Sequence, residues 1–405
     1  MSQPLINITK KQAIVFALFL VLYEFLVYIA NDMIMPAMIH VVKSFNASNI
    51  YIASSLSLYV LGGASLQILL GPVSDKFGRR PVMLFGVLFF LITTFMISFS
   101  ANIHQFLWLR FFEGMGLCYI SVIGYAVIQE IFAEMDAVRL IAVMTNIAVT
   151  APLLGPLVGA LLANSLSWHY IFILIGSFTL LAIWGLWKYM PEPVGQIRRD
   201  GEEIKAEDFS WRVIYENYSK LVKNPKFFLS GVAFGFLGIG CVAWIGLAPI
   251  ILVSENKLTL IQYGLWQVPV FGAFIIANII LIKLTYRCTL EWLILVGSII
   301  AFLGLVLSFG LPLLFGNNYI WLMPGIILYF FGFGFSSSPI YRKTLYATKV
   351  SKGTASALLS MTYMSIQGLG VEAANLVYTF HQNYLLGAFC AFTGIIYMFF
   401  YYKVN

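Results

Sequence analysis

Charge is scarce in this chain. Only 10% of its 405 residues are Asp, Glu, Lys or Arg, against about a quarter in ordinary soluble domains, which excludes a water-solvated globular fold. Cysteine is scarce as well. Cys118, Cys241, Cys288 and Cys390 have no paired spacing, so they read as small apolar fillers and not as a disulfide or metal framework. His40, His104, His169 and His381 fall singly near the ends of apolar runs, and no metal is expected. No nucleophile–base pair or phosphate loop is present, so nothing supports an enzyme, and no cofactor is expected. Acids are outnumbered by bases, giving a formal net charge of +7. That excess invites a nucleic-acid reading until the charges are placed.

Apolar sequence dominates instead. Hydrophobic residues make up 60% of the chain, and repeated runs of about 18 or more predict an all-α, polytopic membrane protein. The first run begins near Ala13 and lacks the short core and small-residue cleavage site of a signal peptide, so it reads as a retained span. Twelve spans are expected: 13–38, 50–70, 82–100, 103–131, 138–163, 168–189, 227–252, 260–283, 290–313, 319–341, 354–378 and 383–402. The one long polar segment, with RRDGEEIKAEDFSWR, divides them. The expected organisation is therefore a six-helix bundle over 1–189, a cytoplasmic linker over 190–226, and a second bundle over 227–405. An even number of spans puts both termini on one side. With the termini in the cytoplasm, all of the 24 Lys and Arg except Lys43, Lys257 and the intramembrane Arg110 fall in cytoplasmic segments or at their edges. This is the positive-inside pattern. It explains the basic excess with a lipid bilayer and without a nucleic-acid partner.

Within the first span, YEFLVYIANDMIMP carries two acids. At 100° per residue Glu24, Tyr28, Asn31 and Asp32 share one face about 100° wide, and the acids lie about 12 Å apart along it. Facing lipid, each charge would cost several kcal/mol, so the face is expected to line a central cavity. There the acids can exchange protons and attract a cationic or polar substrate. Gln129 and Asn146 join them on facing grounds.

Three motifs accompany the acids. The loop after the second span reads GPVSDKFGRRP. There Gly71 is expected to let two helices approach, Asp75 to bond a neighbouring helix end and Gly78 to permit a tight turn. Lys76, Arg79 and Arg80 hold this loop inside. The fourth span opens LRFFEGMG, with Arg110 about 12 Å inside it. A buried guanidinium needs a carboxylate or several carbonyls. Glu113 can neutralise it directly or serve as a further proton site. The fifth span contains APLLGPLVGA. Here Gly155 and Gly159 form a face for close helix contact, and Pro156 frees a carbonyl and bends the helix. Glu130 is expected to partner Arg79 and Arg80. Glu372 is either a pocket acid or a paired structural one.

The loop fits the G-x-x-x-D-[RK]-x-G-R-[RK] pattern of the major facilitator superfamily, and the other two motifs resemble its intramembrane Arg and antiporter Gly-Pro motifs. One departure is Glu113, where Gln is commoner. The blocks YEFLVYIANDMIMPAM, LLGPVSDKFGRRPVML, AVIQEIF, AVTAPLLGPLVGA, YGLWQVPVFGAFIIAN and SKGTASA are similar to bacterial multidrug/proton antiporters of that superfamily. The resemblance implies two six-helix bundles around one pocket worked by alternating access. It also implies export of lipophilic cationic or neutral molecules across the bacterial inner membrane by a monomer, in exchange for protons. Proton coupling would fall to Glu24, Asp32 and Arg110, and pocket contacts to Asn31, Tyr125, Met144 and Ala148. Gating would fall to the loop and Gly-Pro residues. A dedicated exporter of one natural product would share all these features. A sensor on a transporter scaffold would need neither the motifs nor the acids.

Overall fold

The computed structural model describes residues 3–201, 203–204, 210–285 and 287–404, leaving out the side chains of 134, 135, 138, 139, 142, 143, 145–149 and 404. Among the described residues the chain is helical and contains no β-strand. Thr9 starts α1 (Lys10–Ile34) by accepting the backbone N–H of Gln12 through its hydroxyl oxygen, as an N-cap should. A 3-10 turn at Met35–Ala37, set by Pro36, leads into α2 (Met38–Ser44). Next come α3 (Ile50–Ser65), α4 (Gln67–Phe77), α5 (Arg79–Ser98), α6 (Ile103–Gly114) and α7 (Gly116–Cys118). A π-helical turn, Tyr119–Gly124, joins α7 to α8 (Tyr125–Ile131), and α9 (Glu134–Ser165) and α10 (His169–Tyr189) close the first half. The polar middle segment is more than a tether. It holds α11 (Trp211–Val222), whose Tyr218 donates to the Ile68 carbonyl at 3.3 Å.

The second half starts with α12 (Pro225–Ala248) and a π-helical continuation at Pro249–Glu255. It goes on through α13 (Leu260–Leu284), α14 (Leu290–Phe315), α15 (Tyr319–Tyr346), α16 (Lys352–Tyr378) and α17 (Asn383–Val404). Among the described residues nine helices are long and apolar enough to cross a membrane, or ten if α3 and α4, bent by 42°, form one span. The other two expected spans are helical as well, but differ in character. In α9 only Thr150–Ser165 forms an apolar stretch in the described sequence. In α16 the run is broken by Ser360, Thr362, Gln367 and Glu372.

Glycine decides where helices touch. A Cβ on Gly62 would strike the Phe111 carbonyl and one on Gly114 the Tyr59 carbonyl, so α3 and α6 meet backbone to backbone. In the second half α14 and α15 form a longer seam: Gly297, Gly304, Gly325 and Gly332 each abut backbone of the opposite helix. Without a solvent to drive apolar helices together, such close packing is what associates them in lipid. The expectation for Gly71 is corrected. A Cβ there would make only an ordinary contact with Val122 at 3.8 Å, and close approach falls on Gly62 and Gly63 instead.

The two halves meet along α3 and α16 and, at the end away from the chain termini, between α9 and α13. Ser57 donates to the Gly368 carbonyl at 2.7 Å and Asn375 to the Ile50 carbonyl at 2.8 Å. A Cβ on Gly264 would lie 3.0 Å from Leu157.

Candidate functional site

Both first-helix acids are buried, and their settings differ. Glu24 is fully buried in α1. Tyr125 donates to its Oε1 at 2.8 Å, and its Oε2 has no hydrogen-bond partner among the described residues. Asp32 lies at the last turn of α1 and accepts the side-chain N–H of Asn31 at 3.1 Å. The Asn31 carbonyl oxygen accepts from Arg110 Nη2 at 2.9 Å. One amide thus links Asp32 to the guanidinium, and only one orientation of that amide serves both partners.

Arg110 is fully enclosed. It pairs with Glu113 one turn along α6 and donates to Ser55 Oγ at 3.3 Å and the Ala30 carbonyl at 3.5 Å. Its guanidinium lies over the Tyr59 ring, 4.4 Å from the centroid. Glu113 in turn accepts from Thr94 Oγ1 at 2.9 Å. Of the two readings open for Glu113, direct neutralisation of Arg110 is the arrangement observed. Among the described residues three carboxyl groups, Glu24, Asp32 and Glu113, and one guanidinium, Arg110, are buried in this region. With Glu113 taken by Arg110, Glu24 and Asp32 have no ion pair among the described residues. A buried charge without an opposite charge is costly.

The Gly-Pro motif reaches the same place. A Cβ on Gly155 would lie 2.6 Å from Asp32 Cβ, and one on Gly159 would strike the Met33 carbonyl. These two glycines set α9 against the acid-bearing turn of α1, as their spacing predicts. Pro152 and Pro156 both lie inside α9. Gly159→Ala is expected to force the two backbones apart, costing about 1–3 kcal/mol as overpacking does. Thermal unfolding of the purified protein checks this, and wild-type stability would refute the contact.

The remaining expected pocket residues are not all gathered. Tyr28 is half-buried against the core and Met144 is fully buried. Gln129, one turn beyond Tyr125, is exposed and bonds neither acid. The side chains of Asn146 and Ala148 lie outside the described residues. Glu372 sits elsewhere, on the seam between the halves, where Ser54 donates to its Oε1 at 2.9 Å.

At the terminal end of the molecule the loop motif forms a separate ionic cluster. Gly78, with φ +96°, breaks the chain between α4 and α5. Arg79 is the hub. It bonds Asp75 at 2.5 Å, Ser74 at 2.5 Å and Glu130 at 2.8 Å. The Glu130 partnership expected from sequence is thus met through Arg79, whereas Arg80 donates to the Trp187 carbonyl at 2.6 Å. Sequence reading missed Glu192. Its carboxylate accepts the backbone N–H groups of Arg79 at 3.0 Å and Arg80 at 2.9 Å, satisfying the open donors at the start of α5. The available signal was a lone acid between prolines, PEP, just after the sixth span.

A sequence profile of the Major Facilitator Superfamily matches residues 20–371. The multidrug transporter MdfA of Yersinia pestis bv. Antiqua (strain Angola) is 40% identical over 388 residues, 96% of this chain and 93% of that protein. The multidrug transporter MdfA of Escherichia coli O6:H1 is 39% identical with the same coverage. Among solved structures, the partially occluded inward-open xylose transporter XylE from E. coli superposes with a TM-score of 0.75 at 15% identity, covering 97% of this chain and 98% of that one. A bacterial homologue of the human lysosomal transporter Spinster, inward-facing and occupied, gives 0.73 at 15% identity, covering 98% and 97%. On the profile match and these long relatives, the chain belongs to the Major Facilitator Superfamily.

Proposed function

We propose that this protein is a proton-coupled multidrug exporter of a bacterial inner membrane, working by alternating access as a monomer. Its family is one of transporters and not of enzymes, and relatives at about 40% identity over nearly the full chain carry the name multidrug transporter. The observation that carries the reading is the pair of buried acids on α1 that Arg110 does not neutralise. In this reading residues 1–189 and 227–405 are six-helix bundles with both termini cytoplasmic, and 190–226 is the linker. Protons arriving from outside neutralise Glu24 and Asp32 and release a lipophilic, often cationic, substrate outward. Proton loss to the cytoplasm readies the acids for the next substrate. The Oε2 of Glu24, which has no hydrogen-bond partner among the described residues, takes the proton or a ligand donor in this reading. The Asn31–Arg110 link gives Asp32 a second means of sensing occupancy. The Gly155–Gly159 face and the Arg79 cluster serve as the moving contacts.

Linkage supplies the test. A ligand that prefers the ionised pocket must expel protons, and protons must weaken the ligand by the same factor. Adding a lipophilic cation such as tetraphenylphosphonium to purified protein in weak buffer near neutral pH should therefore release protons. The variant Glu24→Gln, Asp32→Asn should release none, with each single variant keeping part of the signal. Proton release surviving in the double variant would move the coupling to Glu113 or Glu372 and end the first-helix mechanism. A survival screen of pump-deficient bacteria against diverse toxic compounds measures breadth. Resistance to none of them would favour a dedicated exporter.

A further inference from the structure

Lys43 and Lys257, the two cations that break the positive-inside pattern outside the spans, come together in the fold. Lys43, near the end of α2, and Lys257, just past the π-helical segment Pro249–Glu255, line one cavity of about 500 Å³. The cavity straddles the seam between the halves, at the end away from the termini. Each wall is braced on its own half. On the first, Trp168 Nε1 donates to Ser44 Oγ at 3.3 Å. On the second, Glu255 is held at 2.5 Å by both the Tyr378 hydroxyl and His381 Nδ1. That commitment matters, because Glu255 is the acid nearest Lys257 in sequence and it does not line the cavity. Among the described residues no carboxylate lines the cavity, while Asn46 and Asn49 add amide donors to the two ammonium groups. Lys257 spends one N–H on the Ser254 carbonyl at 2.6 Å. The Lys43 ammonium has no ion-pair or hydrogen-bond partner among the described residues.

Two like charges facing one concave space focus a positive field and draw a counter-ion into it. Lysine meets phosphate as a point charge with several rotatable donors, and amide N–H groups can share the remaining oxygens. We propose that this cavity is an oxyanion site of the phosphate class, built from both halves of the chain, whose occupant ties the seam shut. Separating the halves at this end separates the lysines and dismantles the site. The assignment does not depend on what the protein carries.

Ala47 lines the same cavity and provides the probe position. Full-length protein carrying Ala47→Cys, purified in dodecyl maltoside, is labelled with a neutral maleimide, and modification at position 47 is followed by peptide mass spectrometry. Inorganic phosphate is compared with chloride at equal ionic strength. Protection should saturate, with labelling slowed about threefold at twice the dissociation constant. Adding Lys43→Gln and Lys257→Gln should abolish protection, while Lys43→Arg and Lys257→Arg should keep it. A parallel series with phosphatidylglycerol in the micelle and no free phosphate separates the two sources. Protection by the lipid alone assigns a headgroup, and protection by phosphate alone a soluble ion. No protection from either source in the otherwise unaltered chain, or protection that persists in the glutamine variant, overturns the proposal.

Discussion

Replacing Arg110 with Met is expected to abolish transport and to destabilise the fold by about 3–5 kcal/mol, the usual cost of stranding a buried charge. The stranded group is Glu113, which would keep only its bond from Thr94. A second substitution separates stability from function. Replacing a whole buried pair with apolar groups is often neutral, so Arg110→Met, Glu113→Met should regain most of the lost stability. Transport should stay absent, because Asn31 would have lost the donor that orients it toward Asp32. Arg110→Lys should also fail. A single ammonium cannot reach Asn31, Ser55 and Glu113 together as the planar guanidinium does. Denaturation of purified protein and efflux in cells give the two readouts. Recovery of transport in the double Met variant would mean that Arg110 is there only to balance Glu113.

Arg79→Ala should lower the transport rate by about 10–100-fold while leaving substrate affinity nearly unchanged, as expected when an interaction acts on the moving step and not on binding. The reason lies in position. Arg79 joins α4, α5 and α8 through Asp75, its own backbone and Glu130, and none of its contacts involves Glu24 or Asp32. Its removal also leaves the partly buried Glu130 without its cation. Glu192→Gln should have a milder effect in the same direction, because the amide can still accept one of the two backbone N–H groups at the start of α5. Equilibrium binding of a transported dye alongside efflux decides the matter. A large loss of affinity would show that the loop cluster shapes the pocket.

What could be read from sequence was whatever depends on spacing along one helix. The shared face of Glu24 and Asp32, the one-turn pairing of Arg110 with Glu113, and the Gly155–Gly159 contact face all follow from 3.6 residues per turn. What could not be read depends on how separate helices are rotated against one another. Asn31 was visible as a polar residue on the right face, but its place between Asp32 and Arg110 required the depth of α1 relative to α6. Glu192 reaches Arg79 from 113 residues away, and no periodicity connects them. Gln129 shows the opposite error. The pattern placed it with the pocket residues, yet it stands one turn beyond Tyr125 near the end of α8 and is exposed. Lys43 and Lys257 were each legible as topological exceptions, but their common cavity was not.

The backbone-to-backbone seam of α14 and α15 has a practical consequence for anyone measuring motion in this molecule. Each of its four glycines abuts main chain, which has no rotamers and cannot yield as a side chain can. Those two helices must then travel as one body through any cycle that reorients the halves. Reporter groups placed on the lipid-facing sides of α14 and α15, at Leu303 and Ile320 for example, both exposed, should hold a constant separation whether substrate, proton or neither is bound. Such a pair is an internal ruler. Changes seen between other helices can be calibrated against it, and drift in the ruler itself would report damage to the preparation.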